Sequence, residues 1–163
     1  MAAPEPNSST VAAFWLRCVE ELPELVTARQ PETWAFGDSA AMADELASLV
    51  ASGTKRATAG LLVEYDAEDE PIPQPGDLSI VVDGNGVPTC LIRTTEVRIG
   101  PLESVDDPFA WDEGEGDRTR ASWLDEHRGF FDRVAVGSGW ELGPNPETVF
   151  ERFEVLYPCG PAD

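Results

Sequence analysis

Apolar residues recur at helical spacing in three segments of the chain. Residues 10–22, 40–51 and 119–134 carry apolar side chains three and four positions apart. Ser9 or Thr10 is a suitable N-cap for the first segment, and Ser39 for the second. Gly53 follows the second segment, where glycine adopts the left-handed conformation without steric cost. The pattern predicts three helices, with Gly53 ending the second one.

Elsewhere the apolar pattern is that of short strands. Strands or extended runs are predicted over residues 34–36, 58–65, 78–82, 88–99 and 148–157. Loops are predicted over residues 66–76, 110–117 and 137–147, with a turn or short helix at 101–105. The run Asp83-Gly84-Asn85-Gly86 is a hairpin signal between two strands.

Residues 88–99 mix apolar and polar side chains on both faces, which is typical of a barrel or of a strand lining a polar cavity. The order of elements shows no strand–helix–strand alternation, so a doubly wound sheet is not favoured. The prediction is an α+β fold, a small β-barrel with flanking helices. Its main domain covers residues 34–158, after a tail and helix over 1–33 and before a tail over 159–163.

Charge narrows the choice of partner. The 163 residues carry a formal net charge of −20, with an estimated pI of 4.1. Such a surface opposes nonspecific adhesion to nucleic acid and to anionic membranes, so no DNA or membrane partner is expected. A long RNA would feel the whole field, whereas a nucleoside would not, and this favours a small ligand. The oligomeric state is left open.

Cysteine use and hydropathy point to a cytoplasmic protein. The three cysteines are far apart and form no cluster with the single histidine, so neither a metal nor another cofactor is expected. The sequence shows no signal peptide and no apolar run near 18 residues, and both observations support the same expectation of location.

Lys55 is the single lysine of the chain, and the other ten of its eleven lysine and arginine residues are arginines. Burial can tune a lysine to act as a base or nucleophile, whereas arginine stays charged. Most lysines are solvated surface residues, which is the alternative interpretation. Lys55 follows the second predicted helix and precedes a predicted strand, in a Gly-x-Lys-x-x-Thr run.

Six short motifs, taken in order, make the chain similar to the ASCH domain family. They are Trp34-Ala35-Phe36-Gly37-Asp38-Ser39, Gly53-Thr54-Lys55-Arg56-Ala57-Thr58, Pro75-Gly76-Asp77, Thr94-Thr95-Glu96-Val97, Glu113-Gly114-Glu115-Gly116-Asp117 before a helix with Trp123, and Glu151-Arg152-Phe153. The resemblance implies a PUA-like β-barrel with a cleft that binds RNA or a related ligand.

The resemblance also implies candidate catalytic residues. Some members are amidohydrolases that remove the acetyl group from N4-acetylcytidine with a lysine, a threonine and a glutamate. The first two match Lys55 and Thr58, and the third matches Glu115, with Glu113 as the alternative. Lys55 would act as general base, Thr58 as nucleophile or positioning donor, and Glu115 would carry a proton to the leaving amine.

Two other functions remain open. Other members resemble ribonucleases for single-stranded RNA, in which Lys55 would stabilise phosphate charge and a base would activate the 2′-hydroxyl. His127 is a candidate for that base, although its position four residues before Phe131 favours a half-buried structural role. The third alternative is a non-catalytic module that binds RNA, another ligand or a protein in the same cleft.

Further side chains are candidates for substrate binding. Arginines can contact phosphate or base edges, although ion pairs with the many carboxylates are the simpler interpretation. Aromatic side chains can stack on a nucleobase, although aromatic residues more often belong to a core. The candidates are Trp34, Gly53, Arg56, Tyr65, Arg93, Arg118 and Arg120.

Overall fold

The computed structural model describes residues 5–158, so residues 1–4 and the predicted tail over 159–163 lie outside it. The fold is α+β, as predicted, with five α-helices and five strands among the described residues. In chain order the elements are α1 (Ser8–Glu21), β1 (Glu32–Trp34), α2 (Ala40–Ala51), β2 (Ala57–Leu61), α3 (Leu62–Glu68), β3 (Leu78–Val82), β4 (Pro88–Pro101), α4 (Asp107–Glu113), α5 (Arg120–Ser138) and β5 (Glu147–Tyr157). Short 3-10 turns cover Pro23–Leu25 and Leu102–Ser104.

The strands form one mixed sheet in the order β1-β3-β4-β5-β2. β1 pairs with β3 in parallel, whereas β3 with β4 and β2 with β5 are antiparallel. In the β2–β5 pair, Ala57 lies opposite Arg152 and Thr58 lies opposite Glu151. This register matters for the site, because residues directly opposite each other share a face of the sheet.

The chain forms two compact units. The first comprises Met1–Thr54, Gly76–Thr94 and Phe153–Asp163, within the described residues. It has two buried apolar clusters, one beneath α1 and one beneath α2. The α1 cluster includes Phe14, Cys18 and Leu91, and the α2 cluster includes Leu46 and Val50.

The second unit comprises Lys55–Pro75 and Thr95–Arg152, and it contains the predicted catalytic residues. Its core joins one face of β2 to α4 and α5. Aromatic rings dominate this core, and its buried members include Ala57, Leu61, Phe109, Ala110, Trp123, Phe131 and Phe150. The rings of Phe109 and Phe150 meet edge to face at 5.1 Å, a favoured aromatic geometry.

Local signals predicted α2 well. It covers the expected residues, the Ser39 hydroxyl accepts a hydrogen bond from the Met42 amide at 3.2 Å, and Gly53 follows it with φ of 81°. α1 begins earlier than predicted, because the Asn7 side chain rather than Ser9 or Thr10 caps it.

Two predicted elements are wrong. The strand predicted over residues 58–65 ends at Leu61, and the chain continues as α3. A short apolar run does not distinguish strand from helix, and here Val63 packs on the α4–α5 core while Tyr65 returns towards Gly60.

The loop predicted over residues 110–117 is half helical, since α4 ends only at Glu113. Asp106 caps that helix by accepting from the Phe109 amide at 2.9 Å, upstream of the acidic run that suggested a loop. α5 continues to Ser138, beyond the predicted end at 134, and ends at Gly139 with φ of 73°.

Candidate functional site

Lys55 is buried, with only 1% of its surface exposed. Its Nζ donates hydrogen bonds to the carbonyl of Ala57 at 2.8 Å and to Oε2 of Glu115 at 3.0 Å. Oε1 of Glu113 lies 3.7 Å away. Nζ is therefore surrounded by acceptors, the setting of a hydrogen-bond donor rather than of a base that presents a lone pair. The Ala57 carbonyl belongs to the peptide that leads into Thr58, so the ammonium lies one peptide from the candidate nucleophile.

Glu113 is the last residue of α4, and its carboxylate is 1% exposed. Oε2 accepts hydrogen bonds from Nε1 of Trp123 and, at 2.9 Å, from Nε2 of His127. Burial alone would raise the pKa of Glu113, but the charges of Lys55 and His127 outweigh it, and the pKa lies below its ordinary value. Glu113 is thus a buried carboxylate that two cations stabilise.

His127 lies on α5 and stacks on Trp123, with ring centroids 3.8 Å apart. Nδ1 lies 2.8 Å from the Trp123 carbonyl, while Nε2 faces the Glu113 carboxylate. Both partners are acceptors, so both ring nitrogens must donate, and only the imidazolium does this. Burial lowers the pKa of His127, yet the charge and hydrogen bond of Glu113 raise it above its ordinary 6.5. His127 is held as a buried structural cation.

Glu115 is the member of this cluster that reaches solvent, with 22% of its side chain exposed. It lies in the turn after Gly114, whose φ of 74° ends α4. The structure therefore brings both candidate glutamates to Lys55 but in different environments. Glu113 is sealed beneath α5, whereas Glu115 is partly open to solvent. Two carboxylates, one ammonium and one imidazolium leave the cluster without net charge.

Thr58 is half-buried on β2, opposite Glu151 of β5. Glu151 is only 7% exposed. Gly60 shares the face of Thr58 because side chains alternate along a strand. A Cβ at Gly60 would lie 3.5 Å from the Tyr65 ring, so that ring covers the same face. Burial, together with the charges of Glu151 and Glu64, raises the pKa of Tyr65. A hydroxyl, a carboxylate and a phenol thus occupy one face of the β2–β5 pair.

The candidate arginines are engaged within the protein. Arg56 donates to Oδ1 of Asp112 at 2.8 Å. Arg120 donates to the carbonyls of Val105 at 2.7 Å and Glu103 at 2.6 Å. Each of these guanidinium groups has a partner within the protein, and the Arg56 side chain is 54% exposed.

Arg118 contacts an exposed tryptophan. Its Nε donates to the Trp111 carbonyl at 2.9 Å, and its guanidinium stacks 3.7 Å from the centroid of that indole. Arg118 has φ of 64°, an uncommon conformation for a residue other than glycine, and its amide donates to the Glu115 carbonyl at 3.1 Å. Trp111 is 54% exposed. Arg118 therefore links the Glu115 turn to an open aromatic surface.

Three candidates lie in the first unit. Arg93 donates to Glu154 at 2.9 Å, and Trp34 packs edge to face on Phe36 with centroids 4.6 Å apart. Gly53 closes the C-terminus of α2, where its amide donates to the Val50 carbonyl at 3.0 Å. Each of the three therefore has a structural contact within that unit, and their predicted role in substrate binding stays a prediction.

Sequence reasoning named neither Trp111, which contacts Arg118, nor Glu151, which lies opposite Thr58, as a candidate site residue. Only the pairing of β2 with β5 reveals Glu151, and no local motif encodes that register. Trp111 lies two residues before Glu113, and this closeness to the acidic motif could have marked it as a candidate.

Glu113, Glu115 and His127 form the metal-ligand combination found among the described residues, with one donor atom from each lying within 4.8 Å of the others. The Lys55 ammonium already lies against both carboxylates, and the His127 nitrogens already donate two hydrogen bonds. A divalent cation would have to displace the Lys55 ammonium and the proton on Nε2 of His127. The cluster is therefore better described as a hydrogen-bonded network than as a metal site.

Comparisons with known proteins identify the family. The family model of the ASCH domain matches residues 32–157. This chain belongs to the ASCH domain family. The crystal structure of an ASCH domain from Lactobacillus crispatus JV V101 is similar, with 30% identity, a TM-score of 0.83 and coverage of 90% of this chain and 94% of that one.

A crystal structure of a protein from Enterococcus faecalis V583 is also similar. It has 34% identity and a TM-score of 0.84, with 92% of this chain and 90% of that chain covered. A search of curated proteins gave no match. The ASCH fold expected from the sequence motifs is thereby confirmed. Among residues 5–158, none of the helices has the length and apolar character needed to cross a membrane.

Proposed function

We propose that this ASCH domain protein binds a modified nucleoside and hydrolyses an amide on it, of the kind in N4-acetylcytidine. The observation that carries the proposal is the placement of Lys55. Its buried ammonium joins the peptide of Thr58 to the one solvent-reaching carboxylate of the cluster, that of Glu115. A nucleophile, a proton donor and a carboxylate relay are the groups that amide hydrolysis needs.

Each residue has a role in this chemistry. The Thr58 oxygen attacks the acetyl carbon as its hydroxyl proton passes to a neighbouring base, and the carbonyl electrons move onto the acetyl oxygen. When the carbon–nitrogen bond breaks, the leaving amine needs a proton, which passes from the Lys55 ammonium through Glu115. Lys55 thus acts first as an acid, and it becomes a base only after it has lost this proton.

The charges favour a small, uncharged ligand over a polynucleotide. Arg56, Arg118 and Arg120 are bound to protein groups, and the formal net charge is −20. A ribonuclease that uses Lys55 would need this cation open to phosphate, and Lys55 is 1% exposed. These observations support the nucleoside hydrolase over the alternatives of a ribonuclease or a non-catalytic RNA-binding module.

Trp111 offers a platform for the base of the ligand. Arg118 stacks on its indole, and Trp111 as a whole residue remains 54% exposed. Stacking on an aromatic side chain contributes roughly 1–3 kcal/mol per base and needs no phosphate contact. This role suits a nucleoside held beside Glu115.

The test is turnover of N4-acetylcytidine, followed as release of cytidine by chromatography. Thr58→Val and Glu115→Gln remove one functional group each with little change of shape, and both should abolish turnover. Thr95→Val, at an exposed position of β4, makes the same atomic change as the first variant and should keep full activity.

A folded protein that releases no cytidine, and no base from other N-acylated nucleosides, would sink the amidohydrolase proposal. Parallel incubation with single-stranded RNA then separates the alternatives. Cleavage would establish the ribonuclease. Binding without cleavage, weakening as salt rises, would establish an RNA-binding module.

A further inference from the structure

Thr58 lacks a base in the Lys55 cluster. A threonine hydroxyl is a weak nucleophile until a neighbouring group takes its proton. Nζ of Lys55 is occupied as a donor to Ala57 and Glu115. Both nitrogens of His127 are donors as well. Of the two carboxylates, Glu113 accepts hydrogen bonds from Trp123 and His127, and Glu115 accepts from Nζ and carries the proton for the leaving amine. A base for Thr58 outside this cluster would leave these roles undisturbed.

The β2–β5 register supplies one. Thr58 lies directly opposite Glu151, so their Cβ atoms are about 4.5–5.5 Å apart on the same face. Glu151 is 7% exposed, and a carboxylate is seldom buried this deeply unless it is paired. Burial raises the pKa of Tyr65, and the negative charge of Glu151 adds to this rise. The Tyr65 ring covers Gly60, on the same face as Thr58 and Glu151.

We propose that Glu151 is the catalytic base that removes the proton from Thr58. The inference rests on the proposed function in taking Thr58 as the nucleophile. It adds a second proton-transfer group to the site, separate from the Lys55–Glu115 pair. This group lies on β5, whereas Thr58 lies on β2.

Glu151 and the Lys55–Glu115 pair together account for every proton that moves in the reaction. The Thr58 proton moves to Glu151 as its oxygen bonds to the acyl carbon, and the carbonyl electrons move onto oxygen. The carbon–nitrogen bond then breaks, and the amine leaves with a proton from Lys55 through Glu115. Water attacks the acyl–Thr58 ester and gives a proton back to Lys55 through Glu115. The ester bond breaks, and Thr58 recovers its proton from Glu151 as the free acid leaves.

Acetylation of Thr58 by p-nitrophenyl acetate tests this step without any nucleoside. The reagent transfers its acetyl group to an activated hydroxyl and releases p-nitrophenolate. Rapid acid quenching, intact mass and peptide mapping locate the acetyl group. The wild type should acquire it at Thr58, and Glu151→Gln should do so at least about 100-fold more slowly, the contribution of a general base. Glu147→Gln, an exposed carboxylate on the same strand, should react like the wild type.

Several outcomes would overturn the assignment. Equal acetylation rates in the wild type and Glu151→Gln would exclude Glu151 as the base, and so would a wild type that acquires no acetyl group at Thr58. If Glu151→Gln does not fold, Glu151→Asp carries the test, because it keeps the charge but withdraws the carboxylate by one methylene. It should react at least about tenfold more slowly than the wild type, and an unchanged rate would exclude the base.

The test also separates this inference from the proposed function. Glu151-dependent acetylation of Thr58, in a protein that hydrolyses no N-acylated nucleoside, would uphold the base and reject the substrate class. Turnover of N4-acetylcytidine by Glu151→Gln at the wild-type rate would support this substrate class and exclude Glu151 as the base.

Discussion

Nε2 of His127 lies 2.9 Å from Oε2 of Glu113, and the other ring nitrogen faces a backbone carbonyl at 2.8 Å. The pair is sealed beneath α5, since Glu113 is 1% and His127 is 9% exposed. His127 is therefore protonated in the folded state, and the added proton contributes to the stability of the fold.

The first prediction concerns stability at alkaline pH. The pKa of His127 is raised by folding, so its stabilisation is complete below the ordinary value of 6.5 and is lost as pH rises through the higher pKa of the folded state. Because His127 is the one histidine of the chain, urea unfolding across pH 6–9 should show this loss clearly. In Glu113→Gln the decline should be smaller, since the charge that raises the pKa has gone.

The matched variant is His127→Gln, which cannot titrate. It should be less stable than the wild type near pH 6, and the difference should shrink as pH rises. A difference between wild type and variant that stays constant over the range would show that the ring carries no extra proton in the folded protein.

The second prediction compares two glutamates that face the same ammonium. Glu113→Gln removes a fully buried charge and should cost about 3–5 kcal/mol of unfolding free energy. Glu115→Gln removes a carboxylate that is partly exposed and should cost about 1 kcal/mol or less. Urea unfolding at pH 7 measures both.

Turnover should be measured on the same two variants. Glu115→Gln should stay folded and inactive, which separates catalysis from folding. Equal destabilisation by the two substitutions would contradict the division of roles between the buried and the exposed carboxylate.

The parts of the fold that local chemistry controls were predictable from the sequence. α2 is defined by Ser39 at one end and Gly53 at the other, and both signals lie within a few residues of the helix. α3 was missed because its outcome depends on the packing of Val63 and Tyr65 against distant residues, which no short window contains.

The candidate site divides in the same way. Sequence motifs brought Lys55 and Glu115 together across sixty positions, as their 3.0 Å contact shows. They did not reveal that Glu113 and His127 neutralise each other, because this requires the angle between α4 and α5. Nor did they reveal Glu151 opposite Thr58, because strand register is a long-range property.

The third prediction concerns ligand binding by Trp111. Trp111→Ala should raise KM for N4-acetylcytidine about tenfold and leave kcat nearly unchanged, because a stacking contact far from the reacting bond stabilises ground and transition states alike. The exposed position makes a stability change above about 1 kcal/mol unexpected.

Trp34→Ala serves as the control for loss of an indole. Trp34 packs on Phe36 in the first unit, so its removal should lower stability with little effect on KM. A KM that responds to Trp34 and not to Trp111 would place the base on the other tryptophan.

The last prediction is that Lys55 and Glu113 are energetically coupled. Lys55→Met keeps the length of the side chain but leaves Glu113 with one cation fewer, and the expected cost is about 3–5 kcal/mol. Glu113→Gln alone leaves the ammonium with one carboxylate fewer. The double variant removes both charges together, so it should lose about 1–3 kcal/mol less than the sum of the single losses. Urea unfolding of the four proteins gives the coupling energy. Strictly additive losses would mean that the 3.7 Å contact between Lys55 Nζ and Glu113 Oε1 contributes nothing to stability. Glu115 would then be the carboxylate that stabilises the charge of the buried lysine.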